Sequence, residues 1–241
     1  GMASASAHAQ PLRMDGEVFA QRTLAISPPE VDGLWQMTVT QMAGDGATVK
    51  KGDMLAMFDA GEVVKNLTTT QGQLSEKLRK QEQLHLDLAD RAREAALATA
   101  KARAEMEKAQ RKAAQPKEYI ARVDYQKLVI ARVNAERKLA LTVQRQGVAA
   151  VERAAEQRMA DAEVSQLQEE VTKLKTSLAS LTVAAPRDGI VLHQDSWSGG
   201  KIDTGSQIWR GQSVAQMPDL STLAVRAALP EAICAEYPDI D

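Results

Sequence analysis

Gly46-Ala47-Thr48-Val49-Lys50-Lys51-Gly52-Asp53-Met54-Leu55-Ala56 returns in altered form as Gly205-Ser206-Gln207-Ile208-Trp209-Arg210-Gly211-Gln212-Ser213-Val214-Ala215. Each copy sets glycines six apart around a hydrophobic residue, Val49 or Ile208, and closes on an apolar pair, Leu55-Ala56 or Val214-Ala215. Upstream, Val31-Asp32-Gly33-Leu34-Trp35 and Arg187-Asp188-Gly189-Ile190-Val191 each put Asp-Gly at the opening of a strand. Gly33 and Gly46 are 13 residues apart and Gly189 and Gly205 are 16 apart, which implies a three-residue insertion in the second copy. A unit this short cannot bury a core alone. The copies therefore read as halves of one β-domain with pseudo-twofold symmetry, with Gly33, Gly46, Gly52, Gly189, Gly205 and Gly211 at structural turns.

Between the halves, residues 61–181 hold only Gly61, Gly72 and Gly147 of the 14 glycines and only Pro116 of the 8 prolines. Each interior proline costs a helix about 3 kcal/mol, so their scarcity predicts helix. Steps of four and three from Leu67 give Gln71, Leu74, Leu78, Gln81, His85, Leu88, Ala92, Ala95, Thr99, Ala102, Met106, Ala109 and Ala113. Stepping back from Leu181 gives Leu178, Leu174, Val171, Leu167, Val164 and Ala160, then Gln157 and Arg153, then Ala150, Gln146, Val143 and Leu139, then Glu136 and Arg132, and last Val129 and Tyr125. Seams of this length predict a coiled coil. Pro116 places the reversal of an antiparallel hairpin near residues 115–122, with arms reaching roughly 80 Å.

Composition excludes several classes. Aromatics make up only 3% of the 241 residues, against 44% hydrophobic and 26% charged, at a formal net charge of −2. That composition favours a long helical body over one globular core. The single cysteine, Cys234, excludes an intrachain disulfide and a multi-cysteine zinc site. His8, His85 and His193 lie in three segments without ligand spacing. Met37, Met42, Met54 and Met57 are thioethers that could hold Cu(I), but core filling is the commoner use. Lys50 and Lys51 read as exposed loop lysines, and the Gly199-Gly200 loop lacks the Gly-Lys-Ser/Thr of a phosphate loop. No nucleophile motif is present. The expectation is a protein that is not an enzyme, with no catalytic residue, cofactor or metal.

Charge marks one candidate surface. Residues 101–138 carry eleven Lys/Arg against five Asp/Glu. A solvated coiled-coil face explains this blandly; complementarity to a docking partner explains it functionally. The candidate contact residues are Arg111, Lys112, Lys117, Tyr119 and Arg122. Nucleic acid is disfavoured, because no aromatic platform lies among the basic residues.

The paired halves, the long helical insertion, Ala185-Pro186-Arg187-Asp188-Gly189-Ile190-Val191 and Met217-Pro218-Asp219-Leu220-Ser221-Thr222-Leu223 together resemble the HlyD-type membrane fusion proteins, or periplasmic adaptor proteins. The resemblance spans about residues 12–230. It implies an α+β fold: a long antiparallel coiled-coil hairpin (61–181) inserted between two halves (31–60 and 182–219) of a lipoyl-like, or barrel-sandwich, β-domain. Residues 12–30 and 220–241 would be strands of a truncated neighbouring β-barrel, and residues 1–11 a disordered tail. The implied function is to link an inner-membrane transporter, of ABC, major-facilitator or RND type, to an outer-membrane channel in efflux or type I secretion. A ring of copies in the periplasm, anchored to the inner membrane through an N-terminal segment outside this sequence, is implied too. Where such adaptors carry a tip serine this chain has Ala121, and Arg111 is one position out of register. Two readings from other classes are a biotinyl or lipoyl carrier subunit and a free-standing coiled-coil scaffold. The carrier would need a modified lysine, and the scaffold would not need the paired β halves.

Overall fold

The computed structural model describes residues 14–20, 22–220 and 223–227. The chain divides into two compact units, residues 1–62 with 176–241, and residues 63–175. The expected tail 1–11, Cys234 and much of 220–241 lie outside the described residues.

The first unit holds strands β1 (Gly16–Ala20), β2 (Thr23–Ile26), β3 (Gln36–Met42), β4 (Thr48–Val49), β5 (Met54–Phe58), β6 (Thr182–Ala184), β7 (Gly189–Ile190), β8 (Leu192–His193), β9 (Gln207–Trp209), β10 (Ala215–Pro218) and β11 (Leu223–Ala227). One layer runs β6-β5-β3-β9; the other runs β2-β10-β8, and β7, one residue before β8, pairs with β4. All pairings among the described residues are antiparallel. The short strands alternate, so one face points inward. Val39, Leu55, Phe58, Leu181, Val191, Ile202, Ile208, Val214 and Met217 are buried, each side chain stabilising the fold by about 1.5–3 kcal/mol.

Hydrogen bonds show how the halves correspond. Gly46 N–H donates to the Val191 carbonyl at 2.7 Å, and Gly205 N–H donates to the Val39 carbonyl at 2.8 Å. In register, Val49 faces Gly189 and Ile208 faces Met37. Val191 is thus the counterpart of Val39, and Gly189 of Met37. The expected match of Asp32-Gly33 to Asp188-Gly189 is corrected: it is four residues out of step. Val39 precedes Gly46 by seven residues, whereas Val191 precedes Gly205 by fourteen. The second copy is therefore longer by seven residues here, not three.

Two further expectations change. The resemblance places residues 12–30 in a neighbouring barrel, but β2 lies along β10, with Ile26 opposite Ala215. It is the counterpart of β6, whose Val183 lies opposite Ala56. Each half needs this outer strand to satisfy backbone groups: the Ile26 carbonyl accepts the Val214 N–H at 2.8 Å. Among the described residues, only β1 and β11 pair apart from these layers. Gly189, expected at a turn, lies in β7 without the positive φ that Gly33, Gly46, Gly52, Gly205 and Gly211 share. Its lack of a Cβ serves packing instead, because a Cβ there would stand 3.1 Å from the Met217 methyl.

Gly52 meets the conformational demand directly, with φ +91° in the turn between β4 and β5 and its N–H donating to Ala185 at 2.8 Å. We expect Gly52→Ala to cost about 1–2 kcal/mol, read as a lower urea midpoint at unchanged slope, although nothing occupies the space its Cβ would take.

The second unit contains the bulk of helices α1 (Gly61–Ala113) and α2 (Arg122–Ser180). Asp59 starts α1 by accepting the Gly61 N–H at 3.0 Å, and Arg111 and Lys112 lie in its last turn, where the helix dipole favours cations. The helices run antiparallel, tied by Lys77–Glu163 at 2.7 Å, Gln81–Asp161 at 2.7 Å, Arg91–Glu156 at 2.8 Å, Thr99–Gln146 at 2.6 Å and Lys138–Glu105 at 3.0 Å. Hydrogen bonding from Lys77 holds Glu163 below the ordinary carboxylate range; bonds from Gln157 and Gln81 do the same for Asp161.

The seam itself is partly corrected. The covered row of α1 runs Leu67, Thr70, Leu74, Lys77, Gln81, Leu84, Leu88, Ala92, Ala95, Thr99, Ala102, Met106, Ala109, Ala113. Gln71, Leu78 and His85, expected inside, are exposed. In α2 the row takes Ala135, Thr142 and Ala149 where Glu136, Val143 and Ala150, all exposed, were expected; nearer the reversal Leu128 and the expected Val129 are both half-buried. The reason is that two four-residue steps follow one another in each helix, Leu84-Leu88-Ala92 and Glu156-Ala160-Val164. Both double steps fall at the level of the Arg91–Glu156 pair. A strict heptad cannot absorb such a stutter, so an unbroken count drifts to the neighbouring position.

Candidate functional site

The reversal between α1 and α2 is built by Pro116. Its missing N–H and fixed φ forbid continuation of α1, and it opens a single 3-10 turn, Lys117–Tyr119. Tyr119 N–H donates to Pro116 O at 3.2 Å and Ile120 N–H to Lys117 O at 3.4 Å. This short link leaves side chains pointing to solvent: Arg111, Lys112, Lys117 and Arg122 are all exposed, and Tyr119 is 84% exposed. Lys117 is held by the Tyr125 ring, its Nζ lying 4.9 Å from the centroid. Among the described residues no ion pair engages Arg111, Lys112 or Arg122.

All five candidate contact residues therefore sit at one end of the hairpin within a twelve-residue span. The charge count did not single out Val123, which is exposed one residue after Arg122. It adds an apolar element beside Tyr119 and the cations, a mixture suited to a protein surface more than to a small ion.

The other candidates stay apart. Lys50 and Lys51 lie exposed in the β4–β5 turn, where Lys50 N–H donates to Asp53 and Lys51 N–H to Asp188 at 2.6 Å. His193 is buried, its Nε2 bonded to the Ala43 carbonyl at 2.6 Å, so that nitrogen carries the proton. Asp45 accepts the His193 N–H at 2.9 Å and the Lys201 ammonium at 2.6 Å. The Lys201 hydrogen bond, then the His193 one, keeps Asp45 below its ordinary pKa, and Asp45 in turn raises that of Lys201. This cluster fastens the longer loop of the second half onto the first. Met37 is buried, whereas Met42, Met54 and Met57 are half-buried at separate strand positions. Among the described residues no three His, Cys, Asp or Glu side chains gather as a metal site, and no helix is long and apolar enough to cross a membrane.

A two-layer β-sandwich whose halves are separated in sequence by a long helical hairpin is the fold of the membrane fusion, or periplasmic adaptor, proteins. The solved structure of the periplasmic adaptor protein EmrA matches 93% of this chain and 84% of its own, with a TM-score of 0.55 and 17% identity. MacA from Actinobacillus actinomycetemcomitans matches 91% of this chain and 56% of its own, at a TM-score of 0.45 and 17% identity. No protein-family model matches the sequence, and no curated protein matches it.

Proposed function

We propose that this chain is a periplasmic adaptor that links an inner-membrane transporter, of ABC, major-facilitator or RND type, to an outer-membrane channel in efflux or type I secretion. The observation that carries the reading is the shared fold, a β-sandwich split by a hairpin, with EmrA. In this reading the intact protein is anchored at the inner membrane, copies assemble into a ring, and the hairpin tip meets the channel. Arg111, Lys112, Lys117, Tyr119 and Arg122 are the contact residues. Their exposure and the excess of positive charge around them support this assignment.

Reversing Arg111, Lys112, Lys117 and Arg122 to glutamate should abolish export in cells that depend on the intact adaptor, while the far-UV spectrum and melting temperature stay within a few degrees. Full export by a folded quadruple variant would reduce the tip charge to a solvated face. A photo-crosslinker at Tyr119 provides a second readout, with an outer-membrane channel subunit as the expected adduct.

A further inference from the structure

The chain has three tryptophans, and the sandwich core uses none of them: Trp35, Trp197 and Trp209 are 68%, 93% and 60% exposed. Tryptophan is on average a well-buried side chain, so three exposed indoles in one small unit need an explanation. Trp197 and Trp209 line a single groove of about 580 Å³ with Gln207, Arg210 and Gln212, within the range of ligand sites, ~300–1,000 Å³. Trp35 backs the same wall, because the Arg210 guanidinium lies over its ring at 5.3 Å and Arg210 N–H donates to its carbonyl at 2.8 Å.

The chemistry of the lining narrows the occupant. Gln212 Oε1 accepts the Trp209 backbone N–H at 3.1 Å, which leaves the Gln212 amide nitrogen as a donor for a ligand. Gln36 and Gln207 pair through their amides at 2.8 Å. The Arg210 charge is partnered by Glu30 at 3.4 Å, and among the described residues no lysine or carboxylate lines the groove, so an anion gains little there. Addition of a peptide strand to β9, the edge of its layer, is also disfavoured: Gln212 caps the Trp209 N–H through its side chain and the Trp209 carbonyl through its own N–H, at 3.0 Å.

Flat apolar faces interleaved with uncharged planar amides suit a ligand that is itself apolar on its faces and hydroxylated at its rim. We infer that the Trp197–Trp209 groove binds an uncharged glycan chain, with pyranose rings stacked on the indoles and their hydroxyls bonded to Gln207, Gln212 and Arg210. This inference stands independently of the adaptor reading. The seven extra residues of the second half supply Trp197, so the first half cannot form such a groove by symmetry.

Titrating the whole chain with chitohexaose and, separately, cellohexaose, followed by tryptophan emission and calorimetry, tests it. Saturable binding of either sugar is expected, weakened at least tenfold in Trp197→Ala and in Trp209→Ala at an unchanged melting temperature. Gln212→Ala, which keeps both rings, should weaken it several-fold. No response to millimolar concentrations of either sugar would overturn the inference, as would equal affinity in the tryptophan variants. Capture of a protein partner through these indoles without any glycan response would overturn it too.

Discussion

Replacing Ile208 with alanine lowers the stability of the β-sandwich by about 2–5 kcal/mol. Ile208 is fully buried at the centre of β9, opposite Met37. Truncation removes three carbons and leaves a cavity between layers whose strands are too short to shift as a unit. Its counterpart Val49 is buried in β4 opposite Gly189. Val49→Ala removes only two carbons and should cost less, about 1–2 kcal/mol at ~0.8 kcal/mol per buried CH₂. Urea unfolding followed by tryptophan emission measures both, since Trp209 adjoins Ile208 in the chain. Losses below 1 kcal/mol at both sites would mean that the two halves do not share one core.

A glutamate at Leu88 destabilises the helical hairpin by about 3 kcal/mol, because a carboxylate would be taken out of water in the seam and would compete with Glu156 for the Arg91 guanidinium. Leu88 is 8% exposed. The same substitution at Leu78, which an unbroken heptad would put inside, should stay within about 0.5 kcal/mol, since Leu78 is 41% exposed. Thermal melts followed by helical circular dichroism separate the two. Equal losses would restore the uninterrupted register and contradict the covered row through Thr70, Lys77 and Leu84.

Much of the fold could be read from two signals with little ambiguity. Gly46-to-Gly52 and Gly205-to-Gly211 mark turns because four glycines with positive φ occupy them, and a helix hundreds of atoms long has few ways to contain Pro116 except at its reversal. What escaped were features whose cause is tertiary. β2 is four residues long and mostly exposed, so nothing local tells a strand of this sandwich from a strand of a neighbour. Asp-Gly recurs at residues 32 and 188 by composition, whereas the true correspondence rests on which carbonyl receives the Gly46 and Gly205 amides. At the tip, charge pointed to Arg111, Lys112, Lys117 and Arg122, but the exposure of Val123 depends on how α2 is rotated. The Trp197 groove had a visible trace in a tryptophan beside Gly199-Gly200; its meaning depended on Trp209 and Gln212 folding next to it.

The paired stutters at Arg91 and Glu156 make the length of the hairpin a quantity that changes only in matched increments. Four residues removed from α1 alone would restore its heptad but slide Lys77 away from Glu163 and Gln81 away from Asp161. Everything on the base side of the deletion would then meet the wrong rung of α2. The same removal from both arms keeps every rung opposite its partner and shortens the reach by ~6 Å at 1.5 Å per residue. Descendants of this gene can therefore change the length of the hairpin by editing both arms at that level, without rewriting either the reversal or the sandwich.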